Sequence, residues 1–288
     1  MNIPIIISLT SIFQRQKSLL NTLQSCINQS LTNELLSNKY YLDKIIINLS
    51  EETYLLDTGF TNKIITYKPL LEFIDKNKQK VLINWVENTG PYRKLLPTLE
   101  KYWDNQEQII ITIDDDITLS EKFIQYLLLE YEFNNRNACI AYRGHTMNWK
   151  SFTKSVNNIK YYTPKSSPNP LIKCSLYNFS TNGAGTLWTP SMFQKHSSSK
   201  DLLFDYEKIK DLCPTSDDIW YNFLRILNGI ELCFIEDGNK LIMYCINTDK
   251  KTALFYKFNK IIINNTSNDI DKNTYQMRKL YSHIIFFL

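Results

Sequence analysis

Glycine is scarce in this chain, with only 7 among 288 residues. With so few, the two at Gly183 and Gly185 argue that the backbone geometry there matters. A dinucleotide fingerprint is absent: Asn182-Gly183-Ala184-Gly185-Thr186 holds two of the glycines, but the third is missing and no strand-turn-helix pattern surrounds them. Histidine is scarcer still, at 3 residues, and the 6 cysteines at positions 26, 139, 174, 213, 233 and 245 form no C-x-x-C pair. His145, His196 and His283 fall at no zinc-ligand spacing from them, which argues against a structural zinc site. No apolar run approaches the roughly 18 residues of a membrane-spanning helix, and MNIPIIISLTSIF lacks the basic start of a secretory leader. The expectation is a soluble cytoplasmic protein with reduced thiols. Net charge is only +4, from 33 basic against 29 acidic residues spread along the chain, too weak and mixed for a dedicated nucleic-acid binder. There is no solenoid repeat and no compositional break that marks a linker.

What is present is globular: 43% hydrophobic, 22% charged and 13% aromatic residues can fill a sizeable core. The length suits one large α/β domain or two small ones. Ile3 to Leu9 reads as a short buried strand. Leu19, Leu20, Leu23, Cys26 and Ile27 then recur at three- and four-residue spacings, predicting a helix. Further strands are predicted at Lys44 to Leu49, Lys63 to Tyr67, Val81 to Val86, Gln108 to Ile113 and Ala138 to Tyr142, with helices at Tyr92 to Trp103 and Leu119 to Phe133. This alternation predicts a mostly parallel, doubly wound sheet, whose ligands bind beyond the carboxyl ends of the strands. Trp149 to Asn178 reads as an extended insertion. A helix over Leu212 to Gly229 and a strand over Glu231 to Glu236 complete the pattern before a less regular tail.

Strand ends are therefore where chemistry is sought. Asp114-Asp115-Asp116 follows directly on the apolar Ile109 to Ile113 run. Three successive carboxylates repel, so seating them at a buried strand end calls for a cation, and oxygen ligands favour Mg2+ or Mn2+. The alternative is a solvated acidic turn leading into the next helix. Asp217-Asp218 forms a second pair after Thr215-Ser216, either of which suits a helix cap. One of the two aspartates there suits a general base, or both decorate a first helical turn. Gly183 and Gly185 mark a site of close ligand approach or a tight turn. Arg93 and Lys94, at the opening of a helix after Gly90-Pro91, suit a phosphate or an exposed basic turn.

Five blocks in order carry a resemblance: IIISLTSIFQR, GPYRKLLPTLEKYW, IITIDDDI, NGAGTLWTP and TSDDIWYNFLRILNGI. Together they resemble the GT-A-fold nucleotide-sugar glycosyltransferases of bacterial and large-virus polysaccharide synthesis, over about residues 3 to 235. The resemblance implies a single α/β domain with a GT-A, Rossmann-like, mostly parallel central sheet flanked by helices. A transferase domain would span 1–240, its nucleotide-binding half about 1–118 and its acceptor-binding half about 119–240, with 241–288 as a C-terminal extension packed on the same domain. It implies that Asp114 approaches the ribose or base and shares a Mn2+ or Mg2+ ion with Asp116, while Asp115 supports them. Thr10, Arg15 and Lys94 would contact the nucleotide, Gly183 and Gly185 would line the pocket, and Asp217 or Asp218 would be the base. Relatives often carry proline in the first loop where this chain has Phe13. No histidine near the C-terminus matches the additional metal ligand of many such enzymes.

The expected activity is a metal-assisted, inverting transfer of a hexosyl or deoxyhexosyl group from a nucleotide sugar, a UDP-sugar, to a hydroxyl of a glycan or lipid-linked glycan. Peripheral membrane contact through basic surface and the apolar end Ile284 to Leu288 is a further expectation, against a last element tucked into the core. The rival readings are a sugar nucleotidyltransferase, which also gathers carboxylates and metal at a strand end, and a non-catalytic carbohydrate binder using the 18 tyrosines and 5 tryptophans.

Overall fold

A computed structural model describes residues 2–147, 155–161, 173–244, 253–259, 262–265 and 268–284. The expected terminal contact at 285–288, much of the 149–178 insertion and Cys245 lie outside them. In chain order the strands are β1 (Ile3–Thr10), β2 (Tyr40–Leu49), β3 (Val81–Trp85), β4 (Ile109–Thr112), β5 (Ile117–Leu119), β6 (Cys139–Ala141), β7 (Gly144–Thr146), β8 (Cys174–Ser175), β9 (Asn178–Ser180), β10 (Thr186–Trp188), β11 (Leu232–Phe234), β12 (Ile242–Tyr244), β13 (Ile262–Asn265) and β14 (Asn268–Asp271). The helices are α1 (Gln16–Ile27), α2 (Glu34–Ser37), α3 (Lys68–Lys76), α4 (Leu96–Lys101), α5 (Phe123–Phe133), α6 (Ser199–Leu203), α7 (Tyr206–Leu212), α8 (Asp217–Leu227) and α9 (Lys272–Ile284).

Eight strands form one sheet in the order β3-β2-β1-β4-β10-β6-β11-β8. β1 pairs parallel to β2 and β4, β2 parallel to β3, and β6 parallel to β11. β10 runs antiparallel between β4 and β6, and β8 antiparallel on the outer edge of β11. The centre is covered on both faces. Ile5, Ile6 and Ile7 are all buried, as is every residue of β4, which is why these segments read as unbroken apolar runs. α1 buries Leu19, Leu20, Leu23 and Cys26, the face its spacing predicted. The molecule is thus a single mixed α/β domain with a large, mostly parallel sheet flanked by helices.

Several elements differ from expectation for local reasons. Lys63 to Tyr67 is no strand: Ile64 is exposed, and the Gln16 side-chain carbonyl accepts from the backbone N–H of Thr66 and Tyr67, occupying donors a ladder would need. The Tyr92 to Trp103 helix is split into a 3-10 turn over Gly90–Lys94 and α4, with the break at Leu95. The expected Leu212 to Gly229 helix starts only at Asp217: Leu212 ends α7, and Pro214 lies in the break before α8. Gly229 ends α8 with φ of +65°, the left-handed geometry of a helix stop. Leu119 belongs to β5, so Asp114 to Asp116 do not sit on the first turn of α5.

The expectation of reduced thiols fails at one place. Cys174 and Cys233 are register partners on β8 and β11, their Cα atoms 4.1 Å apart, and they form a disulfide. The pairing of residues 59 positions apart depends on strand register, which spacing along the chain does not reveal. Cys26, Cys139 and Cys213 are free and buried.

Candidate active site

A cavity of about 690 Å³ opens at the carboxyl edge of the sheet. Topology fills it. β1 and β4 leave the sheet at this edge, bringing Thr10 and Asp114 with them, and antiparallel β10 enters from the same edge, so the turn at 182–185 lies against the end of β4. α8 feeds β11, which runs with the parallel strands, and its first turn therefore also starts here. Thr10, Arg15, Lys94, Asp114, Asp115, Asp116, Gly183, Asp217 and Asp218 all line this one cavity. Gly185 does not: it faces the core with φ of +108°, and a Cβ there would lie 2.3 Å from the Phe123 ring. Its role is to let the chain turn against that ring.

The acidic strand end is held by the chain's own cations and hydroxyls. Arg15 Nη1 lies 2.8 Å from Asp115 Oδ1 and 3.5 Å from Asp116 Oδ2. Ser11 donates its hydroxyl to Asp115 Oδ2, so both Asp115 oxygens accept from the first loop and fasten it to the strand end. Burial disfavours the Arg15 charge, but Asp115 and Asp116 outweigh it and raise its pKa. Thr10 turns its hydroxyl to the Asn48 carbonyl, 2.8 Å away, which joins the end of β1 to β2.

Asp114 donates its backbone N–H to the Gly183 carbonyl at 2.8 Å, while its Oδ1 pairs with Lys94 Nζ at 2.6 Å. Gly183 is required by contact rather than by torsion: a Cβ would meet Asp114 Oδ2 at 1.7 Å. Burial works to raise the Asp114 pKa, yet Lys94, with help from Arg143 and Arg15, holds it below the usual carboxylate value. Beneath Lys94 lies a polar network that fixes its backbone. Ser8 donates to the Lys94 carbonyl at 2.7 Å, its hydroxyl sits 2.7 Å from that of Thr98, and Asn48 reaches both.

The same ammonium reaches the second pair: Lys94 Nζ is 3.7 Å from Asp217 Oδ2. That oxygen is buried and has no hydrogen-bond partner. Burial, reinforced by Asp218 and Asp114 and opposed by Lys94, pushes the Asp217 pKa up to about 7. Asp218 is also raised by burial, against the pull of Lys94 and of the Asn182 backbone N–H, which donates to its Oδ1 at 2.7 Å. Lys94 itself is buried among Asp114, Asp217 and Asp218, and despite the cost of burial its charge is favoured beyond the ordinary lysine range. The expected helix cap is absent in its simple form: Ser216 stands at the N-cap without a side-chain capping bond, and Thr215 bonds elsewhere.

Arg93 and several residues beyond the sequence reading complete the walls. Asp57 and Arg93 form a buried ion pair at 2.8 Å, and Arg93 Nη1, buried and without a hydrogen-bond partner, belongs to a residue of the cavity wall. Arg143, its Nε donating to the Thr181 hydroxyl at 2.7 Å, and Tyr161 form another side. Asn259, Asp271 and Asn273 come from the C-terminal segment. Only Arg93 carried a local signal, its position beside Lys94; the others arrive through tertiary packing.

Among the described residues no three His, Cys, Asp or Glu side chains converge as a metal-binding group. An ion of the Mg2+ type is commonly bound by one or two carboxylates and completes its shell with substrate phosphates and water; here Asp114 Oδ1 lies 2.6 Å from Lys94 Nζ and Asp116 Oδ2 lies 3.5 Å from Arg15 Nη1.

No protein-family model and no curated protein sequence matches the chain. Among solved structures it is similar to S. aureus TarS. With the crystal structure of TarS 1–349 the TM-score is 0.44 at 12% identity, covering 82% of this chain and 58% of that one. With a second TarS crystal structure the TM-score is 0.45 at 12% identity, covering 82% of this chain and 35% of that one. The chain thus spans less than two thirds of either TarS chain.

Proposed function

We propose that the protein is an inverting glycosyltransferase that moves a hexosyl or deoxyhexosyl group from a nucleotide sugar, a UDP-sugar, to a hydroxyl of a glycan or lipid-linked glycan, assisted by Mn2+ or Mg2+. The observation that carries this reading is the Lys94 ammonium lying within ion-pair reach of both Asp114 and Asp217. Two carboxylate groups about a hundred residues apart in sequence thereby meet across one cation in one cavity. Such an arrangement suits a donor with an anionic leaving group and an acceptor hydroxyl that needs a base.

Asp116 and Asp114 would hold the ion, and when bound it supplies charge that offsets the departing nucleoside diphosphate. Arg15 and Lys94, fixed by Asp115 and by the Ser8 network, add preorganised positive charge on the same side. Asp218 is the general base. The Asn182 N–H orients its Oδ1, leaving the other oxygen to take the acceptor proton as the hydroxyl oxygen attacks the anomeric carbon. Asp217, part-protonated near neutral pH, limits the negative charge next to that base. Attack opposite the leaving group inverts the anomeric configuration.

The test is a screen of UDP-sugars with and without Mn2+, followed by Asp218→Asn and Asp217→Asn. Loss of general-base assistance should lower turnover by about 10²- to 10⁴-fold in Asp218→Asn with UDP affinity preserved. Full activity in Asp218→Asn would refute the base assignment, a loss confined to Asp217→Asn would move it to Asp217, and release of pyrophosphate instead of a nucleoside diphosphate would identify a nucleotidyltransferase.

A further inference from the structure

The loop that carries the two candidate base residues is held from outside its own helix. Ser216 makes no side-chain cap, so the first turn of α8 lacks the usual local anchor. Thr215, two residues ahead of Asp217, is gripped instead by the C-terminal segment. Its N–H and its hydroxyl both donate to Gln276 Oε1, at 2.9 and 3.1 Å. The hydroxyl also lies 2.6 Å from Asn259 Oδ1, and Asn259 Nδ2 donates to the Thr215 carbonyl at 3.2 Å. Thr215, Asn259 and Gln276 are all buried, so these bonds form away from competing water.

The rest of α9 is built to hold that grip. Met277, Leu280 and Tyr281 are buried, and the Tyr281 ring packs on Phe223 of α8 at 6.1 Å between centroids. From the other side Tyr92 donates its hydroxyl to the carbonyls of Cys213 and Ser216. The end of β14 and the start of α9 add Asp271 and Asn273 to the cavity wall. One segment therefore both borders the cavity and fixes the residue that leads into Asp217 and Asp218.

We infer that Gln276 and Asn259 are positioning residues for the catalytic aspartates: they set where the start of α8 stands relative to the strand-end carboxylates. The inference rests on the glycosyltransferase reading for what the aspartates do. Asn259 borders the cavity but Gln276 does not, so loosening the Gln276 grip should affect proton removal and not nucleotide binding. Displacement of a reacting group by about 1 Å can cost on the order of 10²-fold in rate.

Gln276 separates acceptor chemistry from packing. Gln276→Met keeps the length of the side chain and removes the oxygen that Thr215 needs; Gln276→Glu keeps acceptor oxygens in place. With the full chain, a UDP-sugar and its acceptor, Gln276→Met should lower kcat at least about tenfold while the Kd for UDP stays within about twofold, and Gln276→Glu should restore most of the turnover. Hydrogen exchange should rise at 215–219 in Gln276→Met, with the later turns of α8 still protected. Unchanged kcat in Gln276→Met, or UDP affinity falling in step with kcat, would overturn the inference. Absence of sugar transfer by the wild-type chain would instead defeat the functional reading on which it stands.

Discussion

A single carboxyl, that of Asp217, ties the chemistry of the cavity to the stability of the fold. Its pKa is raised from an ordinary value of 3.8 to about 7, chiefly by burial. The unfolded chain therefore gives up this proton first as pH rises. Its contribution to stability is full below about pH 4, declines between about pH 4 and 7, and is lost above that. Asp217→Asn cannot ionise. Its thermal midpoint should gain on that of the wild type across this interval and keep a constant lead at higher pH, even though a residue of the candidate site has been removed. Parallel Tm curves from pH 4 to 8 would mean that folding leaves the pKa of this carboxyl unshifted. Asp217 and Asp218 were legible as a chemically interesting pair in the sequence, but their difference was not: one is shielded beside Lys94 and the other is oriented by a backbone N–H thirty-six residues away.

At the scale of elements, the site is where a parallel strand leaves the sheet beside an antiparallel one that enters it. The end of β4 and the turn before β10 touch through Asp114 and Gly183. Gly183→Ala introduces a methyl group where the Asp114 carboxylate lies, so the carboxylate must turn away from Lys94. Overpacking of this kind costs about 1–3 kcal/mol. Adding Asp114→Ala removes the obstructing atoms. The double variant should regain stability relative to Gly183→Ala, measured by urea unfolding, without regaining nucleotide-sugar turnover. Additive losses in the double-mutant cycle would show that the two positions do not oppose one another. The acidic run and the two glycines stood out in the sequence separately. Their contact did not, because it follows from the direction of β10, and a three-residue strand carries no mark of direction.

For the whole molecule, the order of eight strands brings distant segments together at both borders of the sheet. At the outer border β8 and β11 are joined by Cys174–Cys233. Closing a loop of this length constrains the unfolded chain and is worth roughly 4 kcal/mol on chain-entropy grounds. Purified under air, the denatured chain should titrate two fewer thiols before reduction than after it. Cys174→Ser should lower the unfolding free energy by about 2–5 kcal/mol. Equal thiol counts would place both cysteines in the reduced state that spacing alone suggested. Among the described residues no helix is long and apolar enough to cross a membrane.

The sequence by itself determined the alternation of apolar strands and amphipathic helices, the buried centre at Ile5 to Ile7 and Ile109 to Thr112, and the acidic run at a strand end. These follow from local hydrophobic periodicity, which a residue and its near neighbours suffice to encode. Only the tertiary structure decided that Lys94 stands between Asp114 and Asp217, that Ser11 and Arg15 occupy Asp115, that Gly185 serves the core, and that Gln276 and Asn259 hold Thr215. Each is a contact across tens of residues, set by strand order, strand direction and helix docking. A side chain's partners there depend on which segments the sheet brings to its edge.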